Sequence, residues 1–205
     1  MIYLDNAATT QMSPSVLEAV TKAMRESFGN PGTLYDLGKD AKNLLDRARK
    51  QVADCIGARK DQIIFTSGGS ESNATVFFGI ADWMKENMKN VVVVSAIEHE
   101  SVLKSAEAMC MKHGFDLHIL SVDSSGHINP AELQEVLSTK SVGLVSIMHV
   151  NNEIGTVQHD MSKIAGLCHE NGALFHTDCV QALGSVHIDV VEMQCDFLSM
   201  SAHKV

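Results

Sequence analysis

Short apolar runs rich in β-branched residues alternate along this chain with longer stretches whose apolar positions recur every three or four residues. A continuous apolar run of this length is typical of a strand that is buried on both faces of a sheet. The predicted strands lie at residues 63–65, 91–94, 117–122, 142–148, 173–176 and 197–200.

The stretches between these runs have helical spacing, and three of them end at a glycine. Residues 44–56 are followed by Gly57, residues 101–113 by Gly114, and residues 160–171 by Gly172. Glycine directly after the last periodic residue is a helix stop signal. Strands separated by helices of this length predict right-handed crossovers, and therefore an α/β fold with a mainly parallel sheet and helices on both faces.

Polar residues cluster where five of the predicted strands end. Ligands bind beyond the carboxyl ends of the strands in an open parallel sheet, so these clusters predict a binding site at one edge. The clusters are residues 67–71, 98–99, 151–153, Asp178 with Gln181, and residues 201–204.

Composition excludes several classes of function. Of 205 residues, 45% are apolar and 20% are charged, and the net charge of −9 with no basic run argues against nucleic acid or an anionic membrane as the main partner. The longest apolar run, residues 91–94, is too short to span a bilayer, and the N-terminus does not look like a signal peptide. Five cysteines without a Cys-x-x-Cys pair favour free thiols and a cytoplasmic location.

Each cluster taken alone leaves more than one interpretation open. The glycine-rich segment 66–70 could hold an anion at a helix start, or could be a tight turn in which Ser70 is the N-cap. Asp178 could pair with a protonated ring nitrogen, orient a histidine, bind a metal or cap a helix. His99 could be a base, a ligand or a stacking group, or a satisfied loop histidine. Lys204 follows a predicted strand and could be a desolvated amine that reacts with a carbonyl, or an ordinary surface lysine.

No metal site is expected, since the chain has neither His-x-x-x-His nor paired-cysteine spacing.

Taken in order, the motifs of this chain resemble those of the cysteine desulfurases, which belong to the class-V aminotransferase group of fold-type I pyridoxal-phosphate enzymes. The resemblance covers the chain from end to end. The motifs are YLDNAATT at 3–10, FGNP at 28–31, FTSGGSE at 65–71, EH at 98–99, GHI at 126–128, SIMHVNNEIG at 146–155, HTDCVQA at 176–182 and SMSAHK at 199–204.

The resemblance implies a pyridoxal 5'-phosphate site and a role for each of its residues. Lys204 would bind the cofactor covalently, Asp178 would pair with its pyridine nitrogen, and His99 would stack on its ring and handle protons. Asn152 and Gln181 would bind its phenolate oxygen, and Asn152 would also meet the substrate carboxylate. The phosphate would be held by Gly69, Ser70, Ser201 and His203.

The implied activity is removal of sulfur from L-cysteine, which gives L-alanine and an enzyme persulfide for iron–sulfur cluster assembly or tRNA thiolation. A selenocysteine lyase or a class-V aminotransferase of the same fold is the first alternative. The second alternative is a non-catalytic fragment that binds a partner or dimerises. The family also implies a homodimer whose sulfur acceptor or scaffold protein is unknown.

The resemblance also implies a domain organisation. Residues 1–14 would join a small domain, and residues 15–205 would form most of the cofactor-binding large domain. Family members are nearly twice as long, so the rest of the large domain, the small domain and the loop with the persulfide cysteine are expected beyond Lys204. None of the five cysteines matches that cysteine, so this chain alone is expected to be inactive.

Overall fold

The computed structural model describes residues 2–205, which form two compact units. The first unit ends at Phe65 and the second is Thr66–Val205. The predicted boundary between residues 14 and 15 concerns the organisation of the whole protein and stays a prediction.

The first unit is helical. It contains α1 (Pro14–Glu26), α2 (Asp36–Cys55) and a 3-10 turn (Lys60–Gln62). Helix α1 begins where sequence chemistry places it, because the side chain of Ser13 accepts from the backbone N–H of Val16 and Pro14 occupies the first turn. Helix α2 packs on the 3-10 turn and buries Ala41 and Ala53.

The predicted strand at residues 63–65 is wrong. This segment is irregular, and the side chain of Ile64 is 76% exposed. Its composition suits a strand, but strand structure also needs a neighbouring edge that accepts and donates hydrogen bonds. Within residues 2–205, no strand pairs with this segment.

The second unit alternates strands and helices. Its strands are β1 (Val91–Ser95), β2 (Asp116–Leu120), β3 (Val142–Ser146), β4 (Leu174–Asp178) and β5 (Phe197–Ser199). Its helices are α3 (Gly69–Gly79), α4 (Ala81–Glu86), α5 (Glu100–His113), α6 (Pro130–Thr139), α7 (Met161–Glu170) and α8 (Val190–Met193), and a 3-10 turn follows at Ala202–Lys204.

The five strands form one parallel sheet in the order β2-β1-β3-β4-β5. The α/β prediction is therefore confirmed, with strand ends that differ from the predicted ones by one or two residues. The predicted extension of β2 to Val122 is replaced by an isolated antiparallel bridge between Val122 and Ile128. The glycine stops also hold: α5 ends at His113, and Gly114 follows with φ of 73°.

Both faces of the sheet are covered. Successive side chains of a strand point to opposite faces, and all five residues of β1 are buried. On one face, Val92 and Val94 pack in a cluster with buried apolar residues of α3, α4 and α5, including Phe77, Met84 and Met109. None of the helices in residues 2–205 has the length and apolar composition of a membrane span.

A row of polar side chains crosses the buried sheet. His176 of β4 lies between Ser146 of β3, whose Oγ is 2.8 Å from Nδ1, and Ser199 of β5, whose Oγ is 3.0 Å from Nε2. All three residues are almost completely buried. Burial lowers the pKa of His176 to about 3, so the ring is neutral and each nitrogen has a hydroxyl partner. The row fixes the three strands beneath the edge where the predicted site lies.

Candidate active site

The loops that follow β1, β3, β4 and β5 meet at one edge of the sheet, together with the start of α3. Parallel pairing puts Asp178 opposite Ser199, and the backbone N–H of Cys179 donates to the carbonyl of Ser199 (2.8 Å). Ser201, the predicted phosphate ligand, follows two residues later. The sheet register thus sets the spacing between the polar groups of the last two strands.

Asp178 is a buried carboxylate whose two oxygens both accept hydrogen bonds. It is 3% exposed at the end of β4. Its Oδ1 accepts from the backbone N–H of Val180 (2.8 Å), and its Oδ2 accepts from the side-chain amide of Asn73 (2.8 Å). Burial of a carboxylate is tolerated only with such partners, so its orientation is tightly fixed.

Asn73 was not among the residues predicted from the sequence. It is 1% exposed in the middle of α3, and its Nδ2 also donates to the hydroxyl of Ser101 (2.9 Å). Its position indicates a role, because Asn73 lies four residues before Phe77 on the buried side of a helix. A polar amide is uncommon there unless it has a hydrogen-bond partner.

His99 is the N-cap of α5. Its Nδ1 accepts from the backbone N–H of Ser101 (3.1 Å) and lies 2.7 Å from the hydroxyl of the same residue. The ring is exposed, and together with Ser70 and Ser101 it lines an open groove beside α5. The structure therefore brings the predicted stacking residue and the predicted phosphate residue Ser70 to one surface.

The start of α3 is an open helix N-terminus. Gly68 is its N-cap, and no side chain of the described residues caps it, so backbone N–H groups of the first turn can meet an anion. Gly69 allows close packing there, because a Cβ at this position would lie 2.8 Å from Cγ2 of Val180 and 3.7 Å from Cβ of Ser201. The glycine segment, the turn after β4 and the end of β5 are thus in contact.

Glu98 connects the loops after β1 and β3. Its Oε1 accepts from the hydroxyl of Ser95 (2.6 Å) and from the backbone N–H of Met148 (2.7 Å). Its Oε2 has no hydrogen-bond partner among the described residues. Burial, with a smaller contribution from the charge of Asp178, raises the pKa of Glu98 to about 8. The group therefore retains its proton at neutral pH.

Asn152 lies in a loop that its neighbour anchors. Asn151 is buried, and its side-chain amide donates to the carbonyl of Ile97 (2.7 Å), two residues before His99. Asn152 itself is half-buried, and its Nδ2 donates to Oε1 of Glu153 (2.8 Å). The anchor brings the loop of Asn152 beside the loop of His99.

The remaining predicted residues follow the ends of β4 and β5. Gln181 is half-buried in the turn three residues after Asp178. His203 is exposed and Lys204 is half-buried, both in the 3-10 turn that Ser201 precedes. Lys204 is therefore partly shielded from water, and its role in the site stays a prediction.

The cysteines are poorly suited to nucleophilic attack, with one exception. Burial raises the pKa of Cys110 to about 11, of Cys168 to about 12 and of Cys195 to about 11, and it raises the pKa of Cys179 still further. These thiols stay protonated at neutral pH and are weak nucleophiles. The exception is Cys55, which is exposed at the end of α2 in the first unit.

The donor set suits an organic anion better than a metal ion. Residues 2–205 contain no group of three His, Cys, Asp or Glu side chains that could hold a metal. They do contain an open helix start, a glycine at a close contact and a buried carboxylate at the same sheet edge. This arrangement fits a phosphorylated ring with a basic nitrogen.

Known proteins share both the sequence and the fold. The family model for aminotransferase class-V matches residues 2–205. The chain is 42% identical over 203 residues to "Cysteine desulfurase IscS" of Methanosarcina thermophila, covering 99% of this chain and 49% of the relative. It is 42% identical over 205 residues to "Cysteine desulfurase, mitochondrial" of Saccharomyces cerevisiae, covering 100% of this chain and 40% of that protein.

Solved structures give the same result. "SspA in complex with cysteine" superposes with a TM-score of 0.91 at 37% identity, covering 99% of this chain and 57% of that one. "NIFS-LIKE PROTEIN" superposes with a TM-score of 0.93 at 33% identity, covering 99% of this chain and 55% of that one. The chain spans about half the length of the relatives that it matches. It belongs to the class-V aminotransferase family, and its similarity there is to the cysteine desulfurases.

Proposed function

We propose that the protein containing this chain is a pyridoxal-phosphate-dependent cysteine desulfurase. It would convert L-cysteine to L-alanine and leave the sulfur as a persulfide on an enzyme cysteine. One observation carries the proposal: the buried carboxylate of Asp178, the ring of His99 and the open start of α3 lie at one sheet edge of a chain that is similar to cysteine desulfurases throughout.

The phosphate would bind at the start of α3. Backbone N–H groups of Gly69 and Ser70, with the side chains of Ser70, Ser201 and His203, would supply the donors. The close contact at Gly69 supports this, since a Cβ there would clash with Val180 and would push the first turn of α3 away from the turn after β4.

The ring would be held from several sides. Asp178 would accept a hydrogen bond from the protonated pyridine nitrogen, and Gln181 and Asn152 would donate hydrogen bonds to the phenolate oxygen. His99 would lie against the ring face, and Lys204 would hold the cofactor covalently through its amine. When bound, pyridoxal phosphate supplies an electron sink for a bond that breaks at the substrate α-carbon.

Sulfur transfer needs a thiol acceptor outside the buried cysteines of this chain. The balanced reaction takes one cysteine and one enzyme thiol to one alanine and one persulfide, so the acceptor must reach the substrate and then leave with its sulfur. The raised pKa values of the buried thiols argue against their use. The exposed Cys55 is the last residue of α2 rather than part of a mobile loop, so this chain alone is proposed to be inactive in desulfuration.

Three further properties belong to the same proposal. The persulfide would serve iron–sulfur cluster assembly or tRNA thiolation. The protein would act in the cytoplasm, which agrees with five free cysteines. It would be a homodimer, which agrees with the exposed apolar residues Leu17, Val20 and Met24 on α1.

The test compares the intact protein with the 205-residue chain after saturation of both with pyridoxal phosphate. Sulfide and alanine should form from L-cysteine only with the intact protein. Borohydride should fix the cofactor to Lys204, and Lys204→Ala should abolish that adduct while the exposed Lys163→Ala control keeps it. Three other results would replace the desulfurase assignment. Activity on selenocysteine alone would indicate a selenocysteine lyase, and transamination would indicate an aminotransferase. Binding of a partner without cofactor would indicate a non-catalytic protein.

A further inference from the structure

A single chain of hydrogen bonds connects Asp178 with His99. Asn73 Nδ2 lies 2.8 Å from Asp178 Oδ2 and 2.9 Å from Ser101 Oγ. Ser101 Oγ in turn lies 2.7 Å from His99 Nδ1. The connection joins residues on α3, α5 and β4, and its inner members are shielded from water, since Asn73 is 1% exposed and Asp178 is 3% exposed.

The direction of these hydrogen bonds is fixed by chemistry. A carboxylate can only accept, so the amide group of Asn73 that faces Asp178 must be its NH₂. The second hydrogen of that NH₂ points to the hydroxyl of Ser101, which accepts it. The hydroxyl hydrogen of Ser101 is then free to be donated to His99 Nδ1.

The backbone confirms the role of Nδ1 as an acceptor. The N–H of Ser101 lies 3.1 Å from the same nitrogen and caps α5 through it. A proton on Nδ1 would face this N–H and break the cap. The lone pair of Nδ1 therefore receives two donors from one residue, and the proton of the neutral ring is left to Nε2.

The geometry of Asn73 has a cost that a purely structural residue would avoid. Its Oδ1 is buried and has no hydrogen-bond partner among the described residues. An unsatisfied buried carbonyl oxygen destabilises a fold, and an apolar side chain at this position would remove that cost. The orientation that leaves Oδ1 unpaired is the one that serves Asp178 and Ser101.

We infer that Asn73 and Ser101 are positioning residues that hold the Asp178 carboxylate and fix His99 in the tautomer protonated at Nε2. Neutral His99 then offers a hydrogen at Nε2, and its basic lone pair is occupied by the cap. Resting on the proposed function, the consequence is that His99 acts toward the cofactor and substrate first as a donor through Nε2. The base that takes the α-proton is then another group.

The experiment is nitrogen NMR of the ring nitrogens in the intact protein labelled with ¹⁵N-histidine, without cofactor and at mildly alkaline pH. His99→Gln identifies the His99 signals. The wild type should show a protonated Nε2 and an unprotonated Nδ1. Ser101→Ala should move the Nδ1 resonance downfield, because one donor is lost, and Ser101→Thr should restore it. Asn73→Ala should move it in the same direction, whereas Thr75→Ala on the exposed side of α3 should not.

Two results would overturn the inference. One is a wild-type spectrum with the proton on Nδ1, which decides the matter even if the variants do not fold. The other is a Ser101→Ala spectrum identical to that of the wild type. The test is independent of the proposed function: an Nε2 tautomer in a protein that neither binds pyridoxal phosphate nor releases sulfide would refute the desulfurase alone.

Discussion

The carboxyl of Glu98 accepts a hydrogen bond from the backbone N–H of Met148, at 2.7 Å, although fifty positions separate the two residues. The bond joins the loops after two neighbouring strands close to Asp178. Because a second carboxylate beside Asp178 would be repelled, the proton that Glu98 retains keeps the negative charge of this edge low.

Glu98 should make stability decrease as pH rises. Its pKa is raised by burial from 4.5 to about 8, so the folded state binds the proton more tightly than the unfolded state. The stabilisation is complete below about pH 4.5 and is lost as pH rises towards 8, at up to about 1.4 kcal/mol per pH unit. Glu98→Gln, which mimics the protonated group, should remove this slope in urea unfolding of the intact protein. The exposed Glu170→Gln should keep it, and an unchanged slope in Glu98→Gln would refute the assignment.

His176 should have the opposite pH dependence. Burial lowers its pKa from 6.5 to about 3, so the unfolded state binds the proton first as pH falls. Its contribution is present above about pH 6.5 and is lost between 6.5 and 3. His176→Ala should also destabilise the protein by about 3 kcal/mol at neutral pH, since it leaves two buried serine hydroxyls unpaired. Denaturant unfolding measures both effects. The exposed His187→Ala should change stability little, and equal losses in the two variants would argue against the buried row.

Gly69 and Gly68 should differ sharply in their tolerance of alanine. A Cβ at Gly69 would lie 2.8 Å from Val180 Cγ2, whereas a Cβ at Gly68 would meet nothing within 4 Å, and the φ of Gly68 (164°) is extended backbone. Gly69→Ala should cost about 1–3 kcal/mol and weaken pyridoxal phosphate, and Gly68→Ala should be close to neutral. Adding Val180→Ala to Gly69→Ala should recover much of the loss. Equal behaviour of the two single variants would contradict the close contact.

Substitutions of Asp178 should affect cofactor affinity and turnover to different extents. Asp178→Ala should weaken pyridoxal phosphate by about 100-fold, because a buried charged hydrogen bond is lost. Asp178→Asn should retain more cofactor and still lose most turnover, since a neutral amide cannot stabilise a protonated pyridine nitrogen. Absorbance titration with the cofactor and a sulfide assay measure the two properties. Asp160→Asn, on the surface before α7, is the control, and a fully active Asp178→Asn enzyme would be incompatible with the role.

Much of the fold was accessible from the sequence because parallel strands that are buried on both faces consist of continuous apolar runs. The apolar runs at 91–94 and 142–148 predict β1 and β3 for that reason, although β3 ends at Ser146. Gly114 marks a helix end because glycine readily adopts the positive φ found there. Residues 63–65 have a similar composition and are not a strand, since pairing depends on an edge that local sequence does not encode. The polar clusters at strand ends located the candidate site.

The contacts that support that site were not accessible from the sequence. Asn73 and Ser101 serve the predicted residues through contacts between α3, α5 and β4, and no spacing along the chain reveals a contact over 105 positions such as that of Asn73 with Asp178. The burial of Glu98 could not be predicted either, because Glu98 and His99 have the composition of a polar loop. The hydrogen bond from the backbone of Met148 to Glu98 is visible only in the structure.

The row formed by Ser146, His176 and Ser199 has no fixed polarity. A hydroxyl can donate or accept, so the imidazole proton can sit on Nδ1 or on Nε2 with both ring nitrogens still hydrogen-bonded. The two arrangements share all their heavy-atom positions and differ only in which way their dipoles point across β3, β4 and β5. The sheet beneath Asp178 therefore contains an element that can reverse its local field by moving hydrogens alone.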